Sequence, residues 1–111
     1  MRKLFVAVLV VAVGAVFATQ ALAAARSVKI GDDYFVRKGS MHTVTVKKGA
    51  RVTWRFTGKD LHNVAVTKGP VKFRSSYRDS GSFSRKMRHA GRYTIVCTIH
   101  SGMKMKLRVT R

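Results

Sequence analysis

Between Tyr93 and Val109 the chain alternates apolar and polar residues with a period of two, broken once by a short turn. Tyr93, Ile95 and Cys97 share one face. Met103, Met105, Leu107 and Val109 also share a face, with Lys104, Lys106 and Arg108 opposite. Side chains alternate faces in this way only on extended backbone, so the stretch reads as half-buried strand. The same period returns in Thr43–Val46 and in Arg51–Phe56, where Val52, Trp54 and Phe56 point one way. β-Branched and aromatic residues dominate both stretches, as half-buried strands require. No segment after Ala25 sustains a 3.6-residue period. Short strands separated by glycine-containing turns predict an all-β, antiparallel sandwich or barrel.

Several finer expectations follow. Ser27–Ile30 reads as a strand ending in a Gly31-Asp32-Asp33 turn. Leu61–Val66 reads as one strand with His62, Val64 and Val66 on a single face. Phe73–Gly81 is polar and irregular, with room for one helical turn. In Ser82–Met87 the charged Arg85 shares the parity of Phe83 and Met87, which predicts a bulge.

The turn after Tyr93–Val96 carries the chemistry. Cys97-Thr-Ile-His100-Ser-Gly-Met103 places a thiolate, an imidazole and a thioether at the end of one strand. These soft to borderline donors suit copper. Zinc prefers several thiolates or three histidine and carboxylate donors. His62 is the candidate for a fourth donor: its parity and that of Cys97 turn both inward, near the ends of their strands.

The 111-residue chain opens on Arg2 and Lys3, an apolar run from Leu4 to Ala18, and small-x-small sites around Ala23. That order is a secretory signal peptide over residues 1–25, with cleavage near 23–25. A domain of residues 26–111 remains. The apolar run is shorter than the roughly 20 residues of a spanning helix; the alternative reading is an uncleaved membrane tether. Location is therefore secreted or periplasmic. The single cysteine excludes an internal disulfide, and an exported lone thiol calls for an occupant.

Removing Arg2 and Lys3 leaves 21 basic residues against four aspartates, a net charge of about +17. Such a surface favours acidic partners or an anionic cell-envelope surface. A specific nucleic-acid role is not expected, because the chain lacks a groove-reading helix and an aromatic stacking series.

Tyr93–Met103, with His62-Asn63-Val64 upstream and Gly49-Ala-Arg-Val52-Thr-Trp54 on an earlier strand, resembles the cupredoxins, the small blue copper proteins. The likeness is to the plastocyanin and amicyanin group and covers about Val28 to Val109. It implies a Greek-key β-sandwich holding one type 1 copper ion, with His62, Cys97 and His100 equatorial and Met103 axial. It also implies that Asn63 ties the His62 loop to Thr98. The electron port would be His100, framed by Ile99, Gly102 and Met105. Two positions depart from the pattern. Ile99 stands where those relatives usually have proline. Met105 stands where glycine is common, and by the spacing Cys-x2-His-x4-Met it is the alternative axial ligand. The implied function is a monomeric, non-enzymatic carrier of single electrons between redox partners. The alternative is a copper carrier or buffer that binds the ion without redox turnover.

Overall fold

The computed structural model describes residues 25–39 and 41–111. The expected signal peptide therefore lies outside the described residues, except for Ala25, which opens the first strand. Among the described residues there are eight strands and no helix. They are β1 (Ala25–Gly31), β2 (Tyr34–Phe35), β3 (Thr43–Lys47), β4 (Arg51–Phe56), β5 (Ala65–Lys68), β6 (Ser82–Lys86), β7 (Gly91–Val96) and β8 (Lys104–Thr110).

They form two four-stranded sheets, ordered β2-β1-β4-β6 and β3-β8-β7-β5. Both sheets are mixed. β1 runs parallel to β4, and β3 runs parallel to β8; the other pairs are antiparallel. Parallel neighbours need long crossover connections, and here each connection passes through the opposite sheet. The period of two puts the apolar rows inward. Ile30, Val52, Trp54, Tyr93, Ile95 and Leu107 are sealed from solvent between the sheets. Trp54 anchors the middle, tilted against Phe73 and Phe83 with ring centroids 6.1 and 5.9 Å away.

Leu61–Val66 departs from expectation. The strand begins only at Ala65, and His62 to Val66 are buried consecutively rather than alternately. The reason is a second layer of chain. His62 and Arg78 exchange backbone hydrogen bonds of 3.0 and 2.9 Å. Val64 receives Ser75 N–H at its carbonyl (2.8 Å) and donates its own N–H to Ser75 Oγ (2.9 Å). With polypeptide on both sides, neither face meets water. The covering segment is extended and bridged, so the helical turn expected in Phe73–Gly81 is absent.

The bulge expected in Ser82–Met87 is also absent, and β4 and β6 pair in continuous register. Arg85 does face inward opposite Val52, and its guanidinium lies over the Phe73 ring, 4.8 Å from the centroid. A cation on an aromatic face is a favourable way to place charge at the edge of a core. The irregularity falls in β5 instead, between Val66 and Lys68.

Ile95 tests the packing. Ile95→Ala should cost about 2–5 kcal/mol in the denaturant unfolding of the metal-free protein. A loss below about 1 kcal/mol would contradict a close-packed centre.

Candidate metal centre

Three segments meet at one end of the sandwich. Cys97 follows β7 directly and continues its inward face. The turn after it is closed by its own backbone: Cys97 N–H donates to the Met103 carbonyl (3.0 Å), and Met103 N–H donates to the His100 carbonyl (3.3 Å). Gly102, third in that His100–Met103 turn, has φ +79°. A type II turn demands this left-handed value there, and glycine adopts it without strain. The His62 segment arrives from the other side, pinned by the Arg78 bridge.

The result is a cluster of His62, Cys97 and His100 whose donor atoms all lie within 4.8 Å of one another. Cys97 Sγ is 3.9 Å from His62 Nδ1 and 3.4 Å from His100 Nδ1. Donors bound about 2.0–2.3 Å from one metal ion lie at most about 4.5 Å apart, so both separations suit a shared ion. The two imidazole rings are 4.6 Å apart between centroids. His62 and Cys97 are buried, while His100 keeps about a quarter of its side chain exposed.

Asp32, from the turn after β1, orients His62. Its Oδ1 lies 3.1 Å from His62 Nε2. With the N–H on Nε2, the lone pair of a neutral ring sits on Nδ1, aimed at Cys97. The carboxylate also accepts the N–H of Lys59 (2.9 Å) and of Asp60 (3.0 Å). The bond from Asp60, the bond from His62 and that from Lys59 hold its pKa down from 3.8 to about 2. Gly58 makes room for this, since a Cβ there would run into the Asp32 carboxylate. Asp33 stands near His100, with Oδ1 3.8 Å from Nε2.

Asn63 is buried beside His62. Its Oδ1 accepts the Thr98 N–H at 2.8 Å and the Thr98 hydroxyl at 3.3 Å. Tyr77 extends the latch, its phenol 2.7 Å from Thr98 Oγ1. Asp32 and Tyr77 had no sequence signal, because each acts on a segment 20 to 30 residues away.

Met103, just before β8, and Met105, on the inner face of β8, are both buried. Met105 pairs with Ile95, one step deeper into the core than Cys97, and its sulfur accepts the Trp54 indole N–H at 3.5 Å. It is fully buried, so it forms no part of an exposed rim. The expected port is corrected on this point. Leu61, Tyr77 and Ile99 are the large apolar side chains exposed in the segments that build this pole.

A buried cysteine sulfur and two inward imidazole nitrogens, at one pole of an all-β sandwich, define a small copper protein, and the donor set fits a single type 1 copper ion. Residues 24–110 match the family described as copper binding proteins of the plastocyanin/azurin family, and the chain belongs to that family. No curated protein matches the chain. Among solved structures, it is similar to a Cu(I) form of an amicyanin mutant, at 25% identity and TM-score 0.60, over 80% of this chain and 87% of that one. It shares its fold with a purple cupredoxin from Nitrosopumilus maritimus (15% identity, TM-score 0.65, 76% of this chain and 98% of that one). It also shares it with the copper-containing nitrite reductase of Thermus scotoductus SA-01 (20% identity, TM-score 0.63, 77% of this chain). The chain spans 22% of that reductase's length.

The low pKa of Asp32 has a sign. Its folded value, about 2, lies below the ordinary 3.8. Its contribution to stability is therefore complete above about pH 4 and is lost as the pH falls through about 2. In the metal-free protein, the stability gap between wild type and Asp32→Ala should narrow between pH 5 and pH 2. A gap independent of pH would show that the carboxylate does not hold this loop.

Proposed function

We propose that the protein is a secreted or periplasmic type 1 copper protein that carries single electrons between redox partners. His62, Cys97 and His100 serve as equatorial ligands and Met103 as the axial ligand. The observation that carries this reading is the convergence of Cys97 Sγ with the Nδ1 atoms of His62 and His100 at 3.9 and 3.4 Å. When bound, copper would supply a one-electron couple.

The protein's own part is to hold the donors still. His62 is fixed by Asp32 and the Arg78 bridge, Cys97 by β7 and the closed turn, and the turn by Asn63, Thr98 and Tyr77. Donors that do not move suit both oxidation states, so little reorganisation accompanies each transfer. Met103 is favoured over Met105 as axial donor. It sits directly across the turn from Cys97, whereas the Met105 sulfur is engaged by Trp54.

His100 is the electron port in this reading. Its ring is about a quarter exposed, with Asp33 Oδ1 3.8 Å from Nε2, and the exposed apolar side chains of the segments at this pole, Ile99 beside it in sequence together with Leu61 and Tyr77, suit close approach of a redox protein. In this reading the protein acts as a carrier and not as an enzyme. The basic surface points to an acidic partner, and the signal peptide, cleaved near 23–25 or retained as a tether, to export.

Two measurements test this. Electron self-exchange of the copper-loaded protein should be fast on the seconds scale, with no copper passed to an acceptor chelator in the same time. Slow exchange with ready copper release would make the protein a copper carrier instead. Met103→Leu should raise the reduction potential, because losing a neutral donor costs Cu(II) more than Cu(I). A larger shift from Met105→Leu would move the axial role to Met105.

A further inference from the structure

We propose that a cleft at the end of the sandwich remote from the metal pole binds multiply charged phosphate oxyanions. The cleft has a volume of about 360 Å³ and lies between the start of β4, the end of β6 and the start of β7. Arg51, Arg85, Lys86 and Arg88 line it, and no acidic residue does. β4 spans six residues between the two ends, about 20 Å of extended chain.

Overall charge does not account for this concentration. All four aspartates belong to segments that build the metal pole: Asp32 and Asp33 beside the histidines, Asp60 donating to Asp32, and Asp79 next to Arg78. A second cavity near that pole, of about 590 Å³, mixes lysines with Asp32 and Asp33. Two smaller cavities, of about 300 and 260 Å³, also lack an acid but hold only Arg55 in one and Arg26 with Arg55 in the other, whereas the remote cleft gathers four cations.

Its cations are arranged at a cost. Arg51 and Lys86 stand directly opposite each other across β4 and β6, and like charges so placed repel. Arg85 is half-buried, its guanidinium on Phe73. Among the described residues, no lysine or arginine has a carboxylate oxygen within 4.0 Å; both ion pairs involve histidine. Tyr93 supplies no negative charge either. Burial raises its pKa, and its hydroxyl donates to the His89 carbonyl at 2.8 Å. An inward charge on an edge strand such as β6 also discourages edge-to-edge pairing. Arg85 alone would serve that purpose, which leaves Arg51, Lys86 and Arg88 unexplained.

A bound anion relieves this repulsion. Guanidinium groups match phosphate oxygens two at a time, and four positive charges favour a ligand of more than one negative charge. The volume admits pyrophosphate, a phosphate ester or a phospholipid headgroup. Held at this end, the protein would present its metal pole outward.

The test titrates inorganic pyrophosphate into the copper-loaded full chain at low salt. One saturable site is expected. Arg51→Gln, an exposed position where folding is not at risk, and Arg85→Gln should each weaken it by roughly tenfold. Lys106→Gln, which removes one charge from the outer face of β8, should weaken it less than about twofold. Vesicles of phosphatidylglycerol, with phosphatidylcholine as control, identify the source of the phosphate. Pelleting that Arg51→Gln abolishes and Lys106→Gln spares assigns the site to lipid headgroups. Pyrophosphate binding without such pelleting assigns it to free phosphates. No saturable binding to either probe, or equal losses in all three variants, would overturn the proposal.

Discussion

A thiol and two imidazoles packed together at the end of an apolar sandwich are an expensive arrangement unless each polar atom is satisfied. Here the satisfaction is partial and directional. Asp32 takes the outer nitrogen of His62, and Asp33 stands near that of His100. The inner nitrogens of both rings face the Cys97 sulfur and nothing else that competes for them. Three lone-pair donors aimed at one point, with their outer sides tied down, are a site built for a cation. The rest of the architecture serves that convergence. β7 delivers Cys97, the seven-residue turn returns the chain to Met103, and the doubly covered segment from His62 to Val66 brings the remaining imidazole across from a distant part of the chain.

Much of this was legible in the sequence because it is local. The alternation of β4 and β8 names their inner faces residue by residue, and the cysteine, histidine and methionine of the turn lie within seven positions. What failed to show was whatever a distant segment imposes. His62–Val66 reads as a half-exposed strand until Phe73–Arg78 is laid over it, after which both faces are interior. Arg85 reads as a defect in β6 until Phe73 is placed beneath it. Asp32 reads as an ordinary turn residue, since nothing around it announces an imidazole 30 residues on. Met105 shares the parity of Met103 and so competes for the same role; the Trp54 indole on its sulfur is a contact 51 residues away.

The molecule is polar in both senses. Its aspartates and three of its exposed apolar side chains gather around the metal pole, while the other end carries arginines and lysine without partners. In the proposed function, the exposed apolar side chains of this pole would permit close, brief contact at the His100 edge. A cationic cleft at the far end permits attachment without obstructing that contact. The departure at Ile99 fits the same picture: the turn lacks the stiffness of a proline there, and the Tyr77–Thr98–Asn63 bonds restrain it from outside.

The central claim is that His62, Cys97 and His100 together hold one copper ion through the Cys97 sulfur. The most direct measurement is the visible absorption and electron-spin-resonance spectrum during titration of the metal-free protein with Cu(II). The account predicts saturation at one ion per chain with an intense blue thiolate-to-copper band, absent from the Cys97→Ser protein. A colourless complex, or a Cys97→Ser protein as blue as the wild type, would contradict it.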